Sequence, residues 1–182
     1  MAANGPAQGP QPQNPAQLII DGVIAHNEWR LLPQDDGNGE ITAASLAPGK
    51  VILPLATWQA LHRDLGDRQA EIGVWLDSDD PVELVGAAAA ELPLIAVHFP
   101  AVTDGRGFST ARLLRERYGF EGELRAVGAF MRDQLTYLRR CGFNAFAYEG
   151  PQPLEALLNS LHDFSESYQA AADQKLPLFR RR

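Results

Sequence analysis

Short apolar runs alternate with helical patterns along most of the chain after residue 50. Five runs are almost continuously apolar and predict buried strands over residues 51–53, 72–76, 94–99, 124–127 and 145–148. The patterns between them predict helices near 57–65, 82–90, 109–118 and 131–141. This alternation is typical of a mostly parallel α/β sheet covered by helices. About five strand–helix units are too few for an eight-fold barrel, so we expect a partial barrel or an open sheet.

A regular apolar stripe also marks the region that follows the last strand. Its members are spaced by one, three or four positions, as on one face of a helix, and they are Leu154, Leu157, Leu158, Leu161, Phe164 and Tyr168. The stripe predicts a helix over 154–168. The helix before it carries a similar stripe, and Gly142 is its expected C-terminal stop.

The N-terminal region divides into a tail and a hairpin. Residues 1–17 are uncharged, rich in Pro and Gln, and nearly free of large aliphatic side chains, which predicts a disordered tail. A single α/β domain over 18–182 follows. It begins with a strand at 18–24 that the turn-prone Asp21-Gly22 pair interrupts, and a second strand near 29–32 is expected to complete a β-hairpin. Residues 35–39 are expected to form a polar loop.

Composition places the chain among ordinary cytoplasmic domains. The chain has 182 residues, 45% of them hydrophobic, which suits one domain with a real core. No apolar run has the roughly 20 residues that a membrane helix needs, and no signal pattern opens the sequence. Cys141 is the single cysteine, so neither a disulfide within the chain nor a thiolate-held metal cluster is expected. We interpret Cys141 as a packing residue at the end of a helix.

Charge is distributed unevenly along the chain. Residues 1–100 carry a net charge of −9 and residues 101–182 a net charge of +2, and all but Lys50 and Lys175 of the basic residues are Arg. Arg holds oxyanions and carboxylates in a two-point fork, which favours anion or protein contacts. High genomic GC content would enrich Arg equally well. The overall charge of −7 argues against nucleic-acid binding.

The richest candidate site follows the strand at 94–99. Ligands of parallel α/β folds gather where strands end, and the loop over 100–109 offers an acid, a base, two glycines and a Ser suited to capping the next helix. These candidate anion- or partner-binding residues are Asp104, Gly105, Arg106, Gly107 and Ser109. The alternative is a structural turn in which Asp104 and Arg106 pair locally. The loop is not a dinucleotide fingerprint, because the third glycine is missing.

The loop after the next strand extends this candidate site. Arg132, Asp133 and Gln134 follow the next strand and are expected beside the Asp104/Arg106 loop if the two strands are neighbours. Asp133 also suits a helix N-terminus for electrostatic reasons alone. No pair of histidines has metal-ligand spacing. His98, at the end of its strand, is the one histidine kept as a candidate site residue, although the sequence favours a structural histidine.

The C-terminal tail combines apolar and basic side chains. Pro177 prevents the last helix from continuing, and the residues after it form a candidate docking tail: Leu178, Phe179, Arg180, Arg181 and Arg182. An apolar anchor beside steering charge suits a protein partner. The alternative is that the tail packs onto the acidic N-terminal half of its own chain.

Longer motifs resemble one bacterial family, domain of unknown function 934. They are LIIDG at 18–22, FPAVTDGRGFS at 99–109, ARLLRERYG at 111–119, GELRAVG at 122–128, RDQL at 132–135, RRCGF at 139–143 and LPLFRRR at 176–182. Members are commonly labelled as oxidoreductases involved in sulfite reduction. The resemblance therefore implies assimilatory sulfur metabolism, with a gene near that of the sulfite reductase haemoprotein. It brings no established catalytic residues, and Ala129 stands where the family usually has an acidic residue.

The residues argue against an electron-carrying role. Sulfite reduction needs sirohaem, an iron–sulfur cluster and a flavin or ferredoxin donor, whereas this chain has one cysteine and no dinucleotide or flavin motif. We therefore expect no bound cofactor and no metal. The sequence favours an accessory protein that binds the haemoprotein or its donor, for example an acidic ferredoxin on an Arg-rich surface. Two alternatives are a small enzyme acting on an anionic sulfur metabolite and an assembly factor for the reductase.

Overall fold

The computed structural model describes residues 11–34, 41–164 and 166–181. Its strands are β1 (Gln17–Ile20), β2 (Val23–His26), β3 (Arg30–Leu31), β4 (Val51–Pro54), β5 (Ile72–Leu76), β6 (Leu94–Phe99), β7 (Glu123–Gly128) and β8 (Ala145–Tyr148). Its α-helices are α1 (Leu55–Leu61), α2 (Arg106–Glu116), α3 (Leu135–Cys141) and α4 (Leu154–Ser160). Short 3₁₀ segments cover Gly66–Glu71, Val82–Leu84, Gly86–Glu91, Arg132–Gln134 and Leu178–Arg180. The polar loop predicted at 35–39 and most of the predicted disordered tail lie outside the described residues.

All eight strands belong to one curled sheet that forms a half-barrel. The strand order is β2-β1-β8-β7-β6-β5-β4-β3. Strands β3 to β8 run parallel, and β1 pairs antiparallel with both β2 and β8. This arrangement confirms the predicted fold class, a mostly parallel α/β sheet with an N-terminal hairpin, and it takes the partial-barrel form. The five predicted strands correspond to β4 to β8.

The N-terminal hairpin differs from the predicted one in its second strand. Asp21 and Gly22 both have positive φ, at 49° and 76°, so these two residues turn the chain and β2 returns directly along β1. Arg30 and Leu31, predicted to complete the hairpin, instead pair in parallel with β4 at the other edge of the sheet. That prediction was wrong because the two-residue turn already closes the hairpin within residues 17–26.

A very short connection links the two edges of the sheet. β2 and β3 lie at opposite ends of the strand order, yet only residues 27–29 separate them in the chain. Four steps of 3.8 Å carry the backbone at most about 15 Å, so the sheet must curl until its edges approach. Trp29, in this connection, is buried in the inner face of the curl.

The two faces of the sheet bury different side chains. The outer face packs under the helices and forms the larger core, which includes five buried phenylalanines. The inner face holds tryptophans and aliphatic side chains together with three alanines: Leu18, Trp29, Ile52, Trp75, Leu94, Ala96, Val127, Ala145 and Ala147. Small residues fit there because curling brings side chains on the concave side closer together.

Two predicted helices are shorter or more irregular than their patterns indicate. Gly86 has a φ of 53°, which an α-helix cannot accommodate, so the region 82–91 forms two 3₁₀ segments. α4 stops at Ser160, and Phe164 and Tyr168 from the predicted stripe are exposed. α3 ends at Gly142 in the left-handed conformation, as predicted.

Side chains of α3 determine where α4 ends. Thr136 donates a hydrogen bond to the carbonyl of Ser160 at 3.2 Å, and Arg139 donates to the carbonyl of Leu161 at 2.7 Å. These bonds occupy the carbonyl oxygens of Ser160 and Leu161, which would accept backbone N–H groups if the helix continued for another turn. Leu161 is the last buried residue of the stripe. The prediction of a helix to residue 168 was therefore wrong, because tertiary hydrogen bonds end the helix early.

Candidate functional site

The carboxyl ends of the parallel strands bring four loops to one edge of the half-barrel. These loops follow β5, β6, β7 and β8, which are consecutive neighbours in the sheet. Ligands of parallel α/β sheets bind at this edge. Most of the residues predicted from sequence to form a site lie in the two central loops.

Arg106 lies at the centre of an ion-pair cluster. Its guanidinium donates to both carboxylate oxygens of Asp104, at 3.0 Å and 2.6 Å, and to the hydroxyl of Ser78 at 2.9 Å. It also contacts the carboxylate of Asp79. Ser78 and Asp79 belong to the loop after β5, so Arg106 joins two loops. With two carboxylates already bound to it, Arg106 has little positive charge left for an anionic ligand.

The helix after this loop starts earlier than the sequence indicates. α2 begins at Arg106, so Ser109 lies inside the first turn and does not cap the helix as predicted. Asp104, the residue before the N-cap position, caps the first backbone N–H of the helix instead, because its Oδ1 accepts the N–H of Arg106 at 3.1 Å. Gly107 is required for packing: a Cβ there would lie 2.7 Å from the ring of Phe99. Gly105 precedes the helix as its N-cap residue.

The three polar residues after β7 point to two different places. Gln134 reaches the glycine loop, where its amide donates to the carbonyl of Val102 at 3.3 Å. Arg132 points the other way and donates to the hydroxyl of Ser160 on α4. Arg132 and Asp133 line a cavity of about 590 Å³ together with Tyr148. Of the three, the structure therefore brings only Gln134 into contact with the loop that carries Asp104.

A buried histidine and a carboxylate form a pair at the same edge. His98 on β6 is 3% exposed, and its Nδ1 lies 3.0 Å from Oδ1 of Asp77, the first residue after β5. Trp75 packs against the imidazole in an edge-to-face arrangement at a centroid distance of 5.9 Å. Sequence reasoning retained His98 but missed Asp77. The sequence carried only part of the signal: Asp77 directly follows a predicted strand, but the register between β5 and β6 is what places it beside His98.

A carboxyl group beside this pair is stabilised in its neutral form. Asp80 accepts the backbone N–H of Asp77 at 2.8 Å, and burial raises the pKa of the Asp80 carboxyl. The backbone hydrogen bond acts in the opposite direction but is the weaker influence. Asp77 and Asp80 both belong to the loop after β5, so the hydrogen bond between them holds that loop together.

The C-terminal tail presents its apolar residues to solvent. Phe179 is 62% exposed, and Tyr168 packs beside its ring at 6.4 Å. The guanidinium of Arg180 lies 5.7 Å from the centre of the same ring. Leu176 and Leu178 are also exposed. Phe179 thus contributes nothing to the buried core.

Arg181 holds the tail in place. It donates to the carbonyls of Leu176 and Ser167, both at 2.8 Å, and pairs with Glu166 at 3.1 Å. All three partners belong to the C-terminal segment, whereas the sequence alternative placed the tail on the acidic N-terminal half. Arg182 lies outside the described residues.

The described ranges lack both a membrane-spanning helix and a cluster of metal ligands. None of the helices there combines the length and apolar character that a membrane crossing requires. Within the same ranges, no cluster of three or more His, Cys, Asp or Glu side chains is arranged to hold a metal ion.

Cys141 is buried beside α2, and this burial raises the pKa of its thiol.

One protein family matches the chain. The model of a family described as a bacterial protein of unknown function (DUF934) matches residues 73–179, which is more than half of the sequence. The matched region runs from β5 to the tail and includes all four loops of the carboxyl edge. No curated protein and no solved structure matches the chain.

Proposed function

The chain belongs to the DUF934 family of bacterial proteins, and from this premise we propose that it is an accessory protein of assimilatory sulfite reduction. In this role it binds the sulfite reductase haemoprotein through its C-terminal tail, and an acidic ferredoxin that donates electrons is the second candidate partner. The link to sulfite reduction rests on the resemblance of its motifs. The docking role rests on the geometry of the tail.

The exposed ring of Phe179 is the observation that carries the proposal. A large aromatic side chain stabilises a fold only when it is buried, and an exposed one is free to fill a pocket on a partner. Leu176 and Leu178 lie beside it and are exposed as well. Together they form an apolar patch whose neighbours Arg180 and Arg181 are basic.

The tail is ordered before any partner binds. The 3₁₀ turn at Leu178–Arg180 is closed by a hydrogen bond from Arg180 to Pro177, and Leu178 donates to the carbonyl of Tyr168. Arg140 of α3 donates to the carbonyl of Gln169, which ties this segment to the half-barrel. Fixing these residues in advance lowers the entropy lost on association.

The alternative function is a small enzyme for an anionic sulfur metabolite at the strand ends. Arg106 supports it poorly, because Asp79 and Asp104 already contact its guanidinium. Arg132 supports it better, since it lines a cavity of about 590 Å³. Asp133 and Asp163 line the same cavity, however, and their charge disfavours an anion.

A pull-down with matched phenylalanine variants tests the docking role. We expect the tagged full-length protein to capture the haemoprotein at low salt, and Phe179→Ala to weaken capture at least about tenfold, as loss of an aromatic anchor does. Phe164→Ala is the control, because Phe164 is equally exposed, at 65%, but lies outside the tail. Higher salt should weaken capture, because exposed charges are then screened.

Two outcomes would count against this proposal, and one would decide between its two candidate partners. Equal capture by both phenylalanine variants would exclude the tail as the docking element. Capture of a ferredoxin alone would move the proposal to the electron donor. A flavin or haem absorption band that copurifies with the protein from its native cells would indicate an electron carrier instead of an accessory protein.

A further inference from the structure

His98 is a polar residue among the apolar side chains of the inner face. It shares β6 with Leu94 and Ala96, which point to the same face and are fully buried. Trp75 packs against its ring in an edge-to-face arrangement. Placing an imidazole there gains less from burial than an apolar side chain of similar size would. The neighbours of the ring determine which hydrogen bonds its two nitrogens can form.

Asp77 determines which ring nitrogen of His98 carries the proton. The ionised carboxylate only accepts hydrogen bonds, and Oδ1 of Asp77 also accepts the backbone N–H of Ser78 at 2.7 Å. Nδ1 of His98, 3.0 Å away, must therefore be the protonated nitrogen. In the neutral ring, Nε2 then carries a free lone pair. Among the described residues it has no hydrogen-bond partner.

The Nε2 edge of the ring borders a cavity at the carboxyl end of the sheet. The backbone of Gly128 lies against that edge: a Cβ at this position would be 2.9 Å from Nε2. The cavity has a volume of about 270 Å³, and His98 and Gly128 both line it. At roughly 30 Å³ for each water molecule, this volume suits a small organic molecule.

The other walls of this cavity supply apolar contacts and a negative charge. Phe99, Phe130 and Val102 give apolar surface. Glu149 gives a carboxylate, which accepts the backbone N–H of Gln13 at 3.0 Å. No Lys or Arg is among the described residues that line the cavity. Gln11 and Gln13 also line the cavity, and their side-chain amides can both donate and accept hydrogen bonds. A bound molecule therefore meets two groups that only accept, Nε2 and a carboxylate, and no cation among the described residues.

We propose that this cavity is a binding site for a small neutral or cationic molecule, whose hydroxyl or ammonium group donates a hydrogen bond to Nε2 of His98. Asp77 is the positioning residue that fixes the ring, and Glu149 favours an ammonium group over a hydroxyl group. The inference stands apart from the docking role of the tail. It also disfavours small anions, because Glu149 repels them and no Lys or Arg of the described residues lines the cavity.

Three probes of similar size and different charge test the site. Propylammonium, 1-propanol and propionate are titrated into the isotopically labelled full-length protein at pH 8, and binding is followed by the amide signals of Gly128 and Ala129. We expect propylammonium to bind several-fold more tightly than propanol and propionate not to bind. The ring nitrogens of His98, read by ¹⁵N chemical shift, should show Nε2 without a proton.

Two variants and a control assign the effects to residues. His98→Met should weaken binding of both probes about three- to tenfold, the usual effect of one lost hydrogen bond. Glu149→Gln should remove the preference for propylammonium and leave propanol binding unchanged. His162→Gln is the control, because His162 is exposed and does not line the cavity.

The proposal is overturned if no probe shifts these amide signals or if propionate binds best. It is equally overturned if His98→Met binds as the wild type does, or if Nε2 carries the proton. If His98→Met fails to fold, the Glu149→Gln titration and the ring-nitrogen shifts of the wild type still decide between these outcomes.

Discussion

Glu123 and Arg125 lie two residues apart on β7, and Oε1 of Glu123 is 2.7 Å from the guanidinium of Arg125 on the inner face. The arginine side chain is 1% exposed and also donates to Oδ1 of Asn27 at 3.1 Å. Burial lowers the pKa of Arg125, and Glu123 acts against that effect. The inner core thus contains a charge whose main neutralising partner is a single carboxylate.

Removing that carboxylate should destabilise the fold strongly. We expect Glu123→Ala to lower the free energy of unfolding by about 3–5 kcal/mol, because it leaves the buried charge of Arg125 uncompensated. Urea unfolding measures this effect. Glu28→Ala, which breaks the exposed pair with Lys50, is the control and should cause no measurable loss. A Glu123→Ala variant as stable as this control would show that water reaches the guanidinium.

Asp104 and Arg106 should contribute unequally to stability. Arg106 is 54% exposed, so Arg106→Ala should cost at most about 1 kcal/mol. Asp104→Ala also removes the cap of α2 and should cost about 1 kcal/mol more. Thermal unfolding of the two variants, with Asp104→Asn as the variant that keeps the cap, checks the order. Equal losses for both alanine variants would contradict the capping role.

Gly128 should tolerate no side chain. Its φ is +89°, and a Cβ would lie 2.5 Å from the carbonyl oxygen of Phe99 and 2.6 Å from the ring of His98. We expect Gly128→Ala to cost about 2–5 kcal/mol, from backbone strain and crowding together. Gly119→Ala separates the two causes, since Gly119 has a φ of +64° with open space around it, and should cost about 1–2 kcal/mol. Chemical denaturation of both variants provides the comparison.

Cys141 should be unreactive in the folded protein. Its side chain is buried, and desolvation raises the pKa of the thiol above its ordinary value. Alkylation by iodoacetamide at pH 8 should therefore be far slower than in urea. The raised pKa also makes the free energy of unfolding depend on pH. The stability that comes from keeping the thiol neutral is complete below the pKa of the unfolded thiol, about 8.5, and is lost at higher pH, where the unfolded chain ionises first. Cys141→Ala should lose less stability than the wild type between pH 8 and pH 10.

The sequence predicted the parallel part of the sheet well because buried strands have a strong local signal. The runs at 72–76, 94–99 and 145–148 match β5, β6 and β8 residue for residue. The end of α3 at Gly142 was equally clear, since few residues other than glycine adopt the left-handed conformation there. These features depend on residues that are adjacent in the chain.

Features that depend on residues far apart in the chain could not be predicted from local sequence patterns. The early end of α4 results from hydrogen bonds donated by Thr136 and Arg139 of another helix. The pairing of Arg106 with Asp79 joins loops that are 27 residues apart. Asp77 was overlooked for the same reason, because its role depends on the register between β5 and β6. The position of β3 at the far edge likewise depends on how the whole sheet curls.

The pairing of the N-terminal hairpin with the last strand also sets the order in which the protein assembles on the ribosome. Asp21, in the turn of the hairpin, bonds to Asn144, 123 residues later in the chain. At 5–20 residues per second, the hairpin therefore waits roughly 6–25 s after its own synthesis before β8 exists to pair with it. During that interval the apolar residues of β1 have no sheet to join. The nascent chain is then open to chaperones, and completion of the half-barrel becomes one of the final steps of folding.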